Sequence, residues 1–91
     1  MYYGSKINPT EFVNYVLGFY GSNGIYKDFF DPPMSEAEVG AATKIILAQK
    51  GHTFDGDSFD RELVRDIVFV QRGNTHDLEY PVVREWVKNG L

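Results

Sequence analysis

The fold of this chain is indicated first by residues 8–20, NPTEFVNYVLGFY. Pro9 suits the first position of a helix, because its missing N–H would have no helical partner there. Asn8 and Glu11 have the spacing of a capping box, in which each side chain binds the backbone N–H of the other residue. Apolar side chains then recur at helical spacing, at Phe12, Val16, Phe19 and Tyr20. These signals predict an amphipathic helix over about residues 9–20.

Two later stretches carry similar signals. A second helix is predicted over about residues 36–50, since Ser35 and Glu38 repeat the capping-box spacing. A third is predicted over about residues 57–72, where acidic residues suit the positive end of the helix dipole. Its apolar side consists of Phe59, Leu63, Ile67 and Val70. The opposite side is expected to face water and consists of Arg61, Glu62, Arg65 and Asp66.

The end of the third helix and the fourth helix are less strongly marked. Residues 67–71, IVFVQ, have the composition of a strand, but the helical spacing before them favours helix. A short fourth helix is predicted over about residues 81–89, with Trp86 as its anchor in the core. The prediction is therefore an all-α, compact four-helix domain. Residues 1–91 form one domain, because so short a chain has room for one core, and residues 1–7 are an N-terminal arm.

Composition limits the classes of function. The net charge is −4, from 9 basic and 13 acidic residues, whereas proteins that bind nucleic acid without sequence preference are usually basic. The absence of cysteine excludes disulfides, thiolate metal sites and thiol catalysis. No apolar run reaches the roughly 20 residues that span a bilayer, and the first residues lack the plan of a signal peptide. We therefore expect a cytoplasmic protein that neither enters membranes nor favours nucleic acid.

An aromatic-rich connection, residues 21–34, joins the first two predicted helices. It is longer than the connections of about 2–8 residues that are common in helical bundles, and long connections are often functional. One interpretation is a recognition surface for a protein partner or for a second copy, with aromatic anchors and a polar rim. Its predicted residues are Tyr26, Phe29 and Phe30 with Lys27 and Asp31, and Tyr2 and Tyr3 are possible additions from the arm.

A structural interpretation accounts for the same connection. Ile25, Phe29 and Phe30 could close one end of the bundle, leaving only the hydroxyl of Tyr26 exposed. Large exposed apolar patches are scarce on monomers, which favours this alternative.

An acidic segment, residues 52–62, raises the possibility of a divalent-metal site. Asp55, Asp57 and Asp60 are the candidate ligands, since hard cations need several oxygen ligands. The spacing departs from that of calcium loops, because Phe59 stands where a third ligand belongs. Acidic residues also gather at helix starts for electrostatic reasons alone.

A helix-turn-helix DNA-binding regulator is a further alternative, formed by the second and third helices. Their connection is longer than the usual three or four residues, and the reading helix would open with Asp57 and Asp60. Arg61, Arg65 and Arg72 offset these charges in part.

No catalytic constellation is found in the sequence, so neither an enzyme nor a cofactor is predicted. The function predicted from the sequence is a protein–protein interaction module or a self-associating module.

Overall fold

Four α-helices make up most of the chain. The structure is a computed structural model, and it describes residues 8–50 and 58–90. The helices are α1 (Pro9–Tyr20), α2 (Glu36–Lys50), α3 (Ser58–Gln71) and α4 (Pro81–Lys88), and a 3₁₀ helix (Lys27–Phe29) lies between α1 and α2. No strand occurs within the described ranges. The predicted all-α fold is confirmed, and each helix boundary lies within one residue of its prediction.

Both predicted capping boxes are formed. The Asn8 side chain accepts a hydrogen bond from the Glu11 N–H at 2.8 Å, and the Glu11 carboxylate accepts one from the Asn8 N–H at 3.3 Å. At α2, Ser35 and Glu38 make the equivalent pair of bonds, each 3.1 Å long. A capping box involves only residues three positions apart, which is why the sequence predicts these helix starts well.

The core lies where α2 packs against both α1 and α3, and α4 packs against α3. Val83 is fully buried and anchors α4, whereas Trp86 is only partly buried at the edge of the core. Trp86 thus packs against the core as predicted, but Val83 is the residue of α4 that is fully enclosed, since a large indole is seldom completely buried. The fully buried apolar side chains are Phe12, Val16, Val39, Ala42, Ile46, Leu63, Val64, Ile67, Val68 and Val83.

The C-terminal end of α1 is capped by the chain that follows it. The last four carbonyl groups of an α-helix have no partner within the helix. Here all four accept backbone hydrogen bonds from residues 21–34. The bonds run from Gly21 to Leu17 at 3.0 Å, Ile25 to Gly18 at 3.2 Å, Tyr26 to Phe19 at 2.6 Å and Met34 to Tyr20 at 3.1 Å. The backbone of the aromatic-rich connection is therefore fixed against the helix end.

Gly24 allows this close approach. A Cβ atom at position 24 would lie 2.4 Å from the Phe19 oxygen and 2.5 Å from the Phe19 carbonyl carbon. Both are backbone atoms of the capped helix end, so they cannot move aside as a flexible side chain could. A residue larger than glycine must therefore push the connection away from α1.

An ion pair links the end of α3 to the start of α2. The Arg72 guanidinium donates two hydrogen bonds to the Glu38 carboxylate, at 2.8 and 2.6 Å, and its Nη2 lies 3.4 Å from the Pro33 oxygen. The hydrogen bonds from Arg72 hold the pKa of Glu38 below its ordinary value. Glu38 thus serves both the capping box of α2 and the contact between two helices.

Hydrogen bonds to a buried carboxylate fix the start of α4. The Asp66 carboxylate is buried, and it accepts hydrogen bonds from the backbone N–H groups of Glu79 and Tyr80 at 3.0 and 2.9 Å. Its other oxygen lies 3.1 Å from Nη2 of Arg65, which also pairs with Glu79 at 2.9 Å. The expectation that Arg65 and Asp66 face water is wrong, because the connection to α4 folds back over them.

We expect Gly24→Ala to lower the free energy of unfolding by about 1–3 kcal/mol, the usual cost of an added methyl group with no space. Gly40→Ala is the matched control, since a Cβ atom at that position in α2 meets nothing within 4 Å. It should raise stability by about 0.4–1 kcal/mol through the unfolded chain. Urea unfolding of both variants provides the measurement. Equal effects of the two substitutions would contradict the close contact at Phe19.

We expect Glu38→Gln to lower the free energy of unfolding by about 1 kcal/mol at neutral pH, because the charge opposite Arg72 is lost. Glutamine still completes a capping box, so the helix start is kept. The pKa of Glu38 is lowered in the folded state, so its stabilisation is present above the ordinary value of 4.5 and disappears as the pH falls through the lower value. Unfolding curves at several pH values should show the two proteins converging in acid. A difference that does not depend on pH would refute the ion pair's contribution.

Candidate functional site

Three large apolar side chains of the connection between α1 and α2 lie exposed close to one another in sequence. Ile25 is 72% exposed, Tyr26 49% and Phe29 53%. We call these three residues the loop patch. Among the described residues, Val82 on α4 is the other large apolar side chain of comparable exposure. The loop patch is therefore the main apolar surface feature of the part of the chain that the structure describes.

Phe30 does not belong to this surface. It is 4% exposed, and its ring contacts those of Tyr20, Phe29 and Phe69, with centroid distances of 5.8, 5.2 and 4.8 Å. The prediction of Phe30 as a surface residue is wrong, since its side chain fills the space between α1 and α3. The alternative in which Ile25, Phe29 and Phe30 close the bundle agrees with the burial of Phe30 and is wrong for Ile25. Phe29 is intermediate, since it is 53% exposed while its ring also contacts those of Tyr20, Phe30 and Phe69.

The loop patch rests on a layer of other aromatic rings. The Tyr26 ring stacks on that of Phe19, with centroids 5.9 Å apart and planes 24° apart. The Phe29 ring lies 5.7 Å from that of Tyr20 and 6.0 Å from that of Phe69. Such ring pairs add to the stability of the positions they occupy. The exposed rings of Tyr26 and Phe29 are therefore supported by ring contacts with α1 and α3.

Phe69 and Ile25 are the site residues that the sequence analysis missed. Phe69 lies away from the apolar side of α3, and a large aromatic ring in such a position is a signal for a second contact. Ile25 gives no equivalent signal. Its backbone N–H is bound to the Gly18 carbonyl, and this bond, invisible in the sequence, fixes its position.

The charged residues beside the loop patch have both signs. Lys27 and Asp28 are exposed in the 3₁₀ helix, and Asp31 is exposed just after Phe30. Within the described residues, the ion pairs join Arg65 to Asp66 and Glu79, and Arg72 to Glu38. Lys27 and Asp28 form no ion pair with another described residue, and the charge of Asp31 acts on Arg72 and helps to raise its pKa.

Arg61 of α3 borders the aromatic layer. Its guanidinium lies 4.0 Å from the centroid of the Phe19 ring, and its Nη1 donates a hydrogen bond to the Tyr15 hydroxyl at 3.2 Å. Burial raises the pKa of the Tyr20 hydroxyl, and the nearby charges of Arg65 and Arg61 oppose this rise. Arg61 therefore joins α3 to α1 beside the loop patch, and Tyr20 remains protonated at neutral pH.

The three arginines of the helix-turn-helix alternative are all engaged inside the molecule. Arg61 lies on Phe19, Arg65 is 7% exposed and paired with Asp66, and Arg72 binds Glu38. DNA affinity depends largely on cations that reach the phosphates. These contacts reduce the positive charge of Arg65 and Arg72 that could reach phosphates, because both pair with carboxylates.

Of the three predicted metal ligands, only Asp60 lies within the described residues. Asp55 and Asp57 lie outside the described residues, as do Tyr2 and Tyr3 of the arm. Asp60 lies in the first turn of α3 and is 1% exposed. In residues 8–50 and 58–90, no three His, Cys, Asp or Glu side chains are grouped as a metal site would require.

A surface groove of about 820 Å³ lies between α1 and α2. Small and apolar residues such as Val13, Gly40 and Ala41 form much of its lining, and Lys44 and Glu36 contribute charges. The groove brings together no histidine and no pair of carboxylates, so it suggests no reaction.

Comparisons with known proteins give no relatives. No protein-family model, no curated protein and no solved structure matches this chain. None of the helices in the described ranges has the length and apolar character needed to cross a bilayer.

Proposed function

We propose that this chain is a non-catalytic protein–protein interaction module whose contact surface is the loop patch. The observation that carries the proposal is the exposure of Ile25, Tyr26 and Phe29 on a backbone that is fixed by the capping of α1. An aromatic side chain can bury about 150–250 Å². The three residues therefore expose on the order of 300 Å², which is comparable with the largest apolar patch of a typical monomer, and such patches are often functional.

The arrangement of the loop patch supports binding in two ways. Aromatic anchors surrounded by polar residues are typical of the few residues that dominate binding energy, and Lys27 and Asp31 supply such a rim. The aromatic layer below also holds the rings of Tyr26 and Phe29 in place before any partner arrives. Less conformational entropy is then lost on binding.

The alternatives have weaker support. A DNA-binding role conflicts with the net charge of −4 and with the ion pairs that Arg65 and Arg72 form within the molecule. A divalent-metal role rests on Asp55 and Asp57, which lie outside the described residues. The proposal keeps the cytoplasmic setting that the cysteine-free sequence suggests.

The double variant Ile25→Ser, Phe29→Ser tests the proposal. Both side chains are more than half exposed, so the melting temperature should fall less than in a variant that removes the buried ring of Phe30; the loss that remains comes from the Phe29 ring contacts. Association should weaken at least tenfold, because the loss of one anchor typically costs more than 1 kcal/mol of binding energy. Light scattering for self-association, together with capture of partners on immobilised protein, measures the effect. Association that is unchanged in the variant would reject the loop patch as the contact surface.

Phe30→Ala is the control for damage to the fold. Its ring is buried, so its removal should cost about 3–5 kcal/mol of stability. At a temperature where Phe30→Ala is still folded, it should keep more of the association than the double variant. If Phe30→Ala instead loses more association than the double variant, association depends on the stability of the fold and not on the exposed side chains.

A further inference from the structure

The charged residues nearest the loop patch have the signs needed to form ion pairs with the same residues of a second copy of the chain. Lys27 and Asp28 are neighbours in the 3₁₀ helix, both are exposed, and neither forms an ion pair within the described residues. In a two-fold symmetric contact, each residue faces a position on the partner that in turn faces its own equivalent. A rim of one sign would repel its copy. A rim of both signs places Lys27 against Asp28 twice.

The size of the loop patch also suits such a contact. Two patches of on the order of 300 Å² placed face to face bury roughly 600 Å² of apolar surface, against about 1,600 Å² in a standard interface. This amount is too small for an obligate dimer, whose interface runs to about 2,000 Å² or more. It fits a reversible dimer, in which a rigid patch binds without first having to become ordered.

The net charge of −4 opposes self-association only weakly. At physiological ionic strength, interactions between exposed charges are screened over about 8 Å. Charges close to the contact therefore decide the outcome, and those of Lys27 and Asp28 are directly beside Phe29.

We propose that the occupant of the loop patch is a second copy of this chain, in a reversible two-fold dimer in which Lys27 of each copy pairs with Asp28 of the other. This inference rests on the proposed function and specifies its partner. The apolar contact is made by Ile25, Tyr26 and Phe29 of both copies. The two ion pairs fix the relative orientation of the copies.

Charge exchange across the contact tests the dimer. Lys27→Glu leaves only acidic residues at these two positions, and Asp28→Lys leaves only basic ones. Each variant alone should dimerise at least tenfold more weakly than the natural chain in sedimentation equilibrium. An equimolar mixture of the two should form a mixed dimer with near-natural affinity. In that dimer both acidic side chains of the Lys27→Glu chain face basic side chains of the Asp28→Lys chain, so two ion pairs are restored.

Two comparisons separate this contact from general effects of charge. Asp28→Lys changes the net charge from −4 to −2. If overall charge repulsion controlled dimerisation, this variant would dimerise more strongly. The proposed ion pairs predict the opposite, a weaker dimer. Lys44→Glu carries the same charge change as Lys27→Glu, but at an exposed position of α2, and should leave the dimer unchanged. Circular dichroism checks that every variant is folded.

The outcomes distinguish this inference from the function on which it rests. A natural chain that stays monomeric at millimolar concentration overturns the dimer. The interaction function survives that result if Ile25→Ser, Phe29→Ser abolishes capture of a different protein. A mixture of Lys27→Glu and Asp28→Lys that dimerises no better than either variant also overturns the proposed pairing. A dimer that persists in Ile25→Ser, Phe29→Ser refutes both proposals.

Discussion

The capping of the C-terminal end of α1 is the interaction on which the rest of the structure depends. Four carbonyl groups that would otherwise lack partners are satisfied by the connection that leads to α2. The last of these bonds comes from Met34, the residue before the Ser35 cap, so it also sets where α2 begins. Arg72 brings the end of α3 to the same place through Glu38. Three helix ends therefore meet around this connection, and the buried ring of Phe30 fills the space between them.

This capping divides the connection into two parts with different roles. Its backbone satisfies hydrogen-bonding groups that are costly to bury unpaired, so the positions of Ile25 and Tyr26 follow from the helix end. Once the backbone is fixed, the side chains have little choice of direction. Phe30 is buried in the bundle, Ile25 is mostly exposed, and Phe29 has one side against the aromatic rings and the other exposed. An apolar surface that the core does not use breaks the local rules of folding, and natural proteins usually break these rules where they function.

The helices could be predicted from the sequence because their signals are local. The capping boxes at Asn8 and Ser35 need only residues three positions away, and the apolar spacing of α3 outweighs the strand-like composition of residues 67–71. The site could be predicted only in part, because its side chains are placed by contacts between elements. Asp66 looks like a surface residue in the sequence. It is buried because the backbone before α4 returns to it, and no periodicity reveals such a return.

The division between backbone and side chain predicts which substitutions the chain can accept without unfolding. Gly24 is fixed by the atoms of Phe19, and Phe30 by the rings around it, so both positions are constrained by the fold itself. The fold places no such demand on the outer parts of Ile25 and Phe29, which extend into solvent. At Ile25, which is 72% exposed, a polar side chain would lose little burial, whereas the buried side of Phe29 contacts the rings of Tyr20, Phe30 and Phe69. The proposed contact with another protein surface would account for the apolar character of their exposed parts.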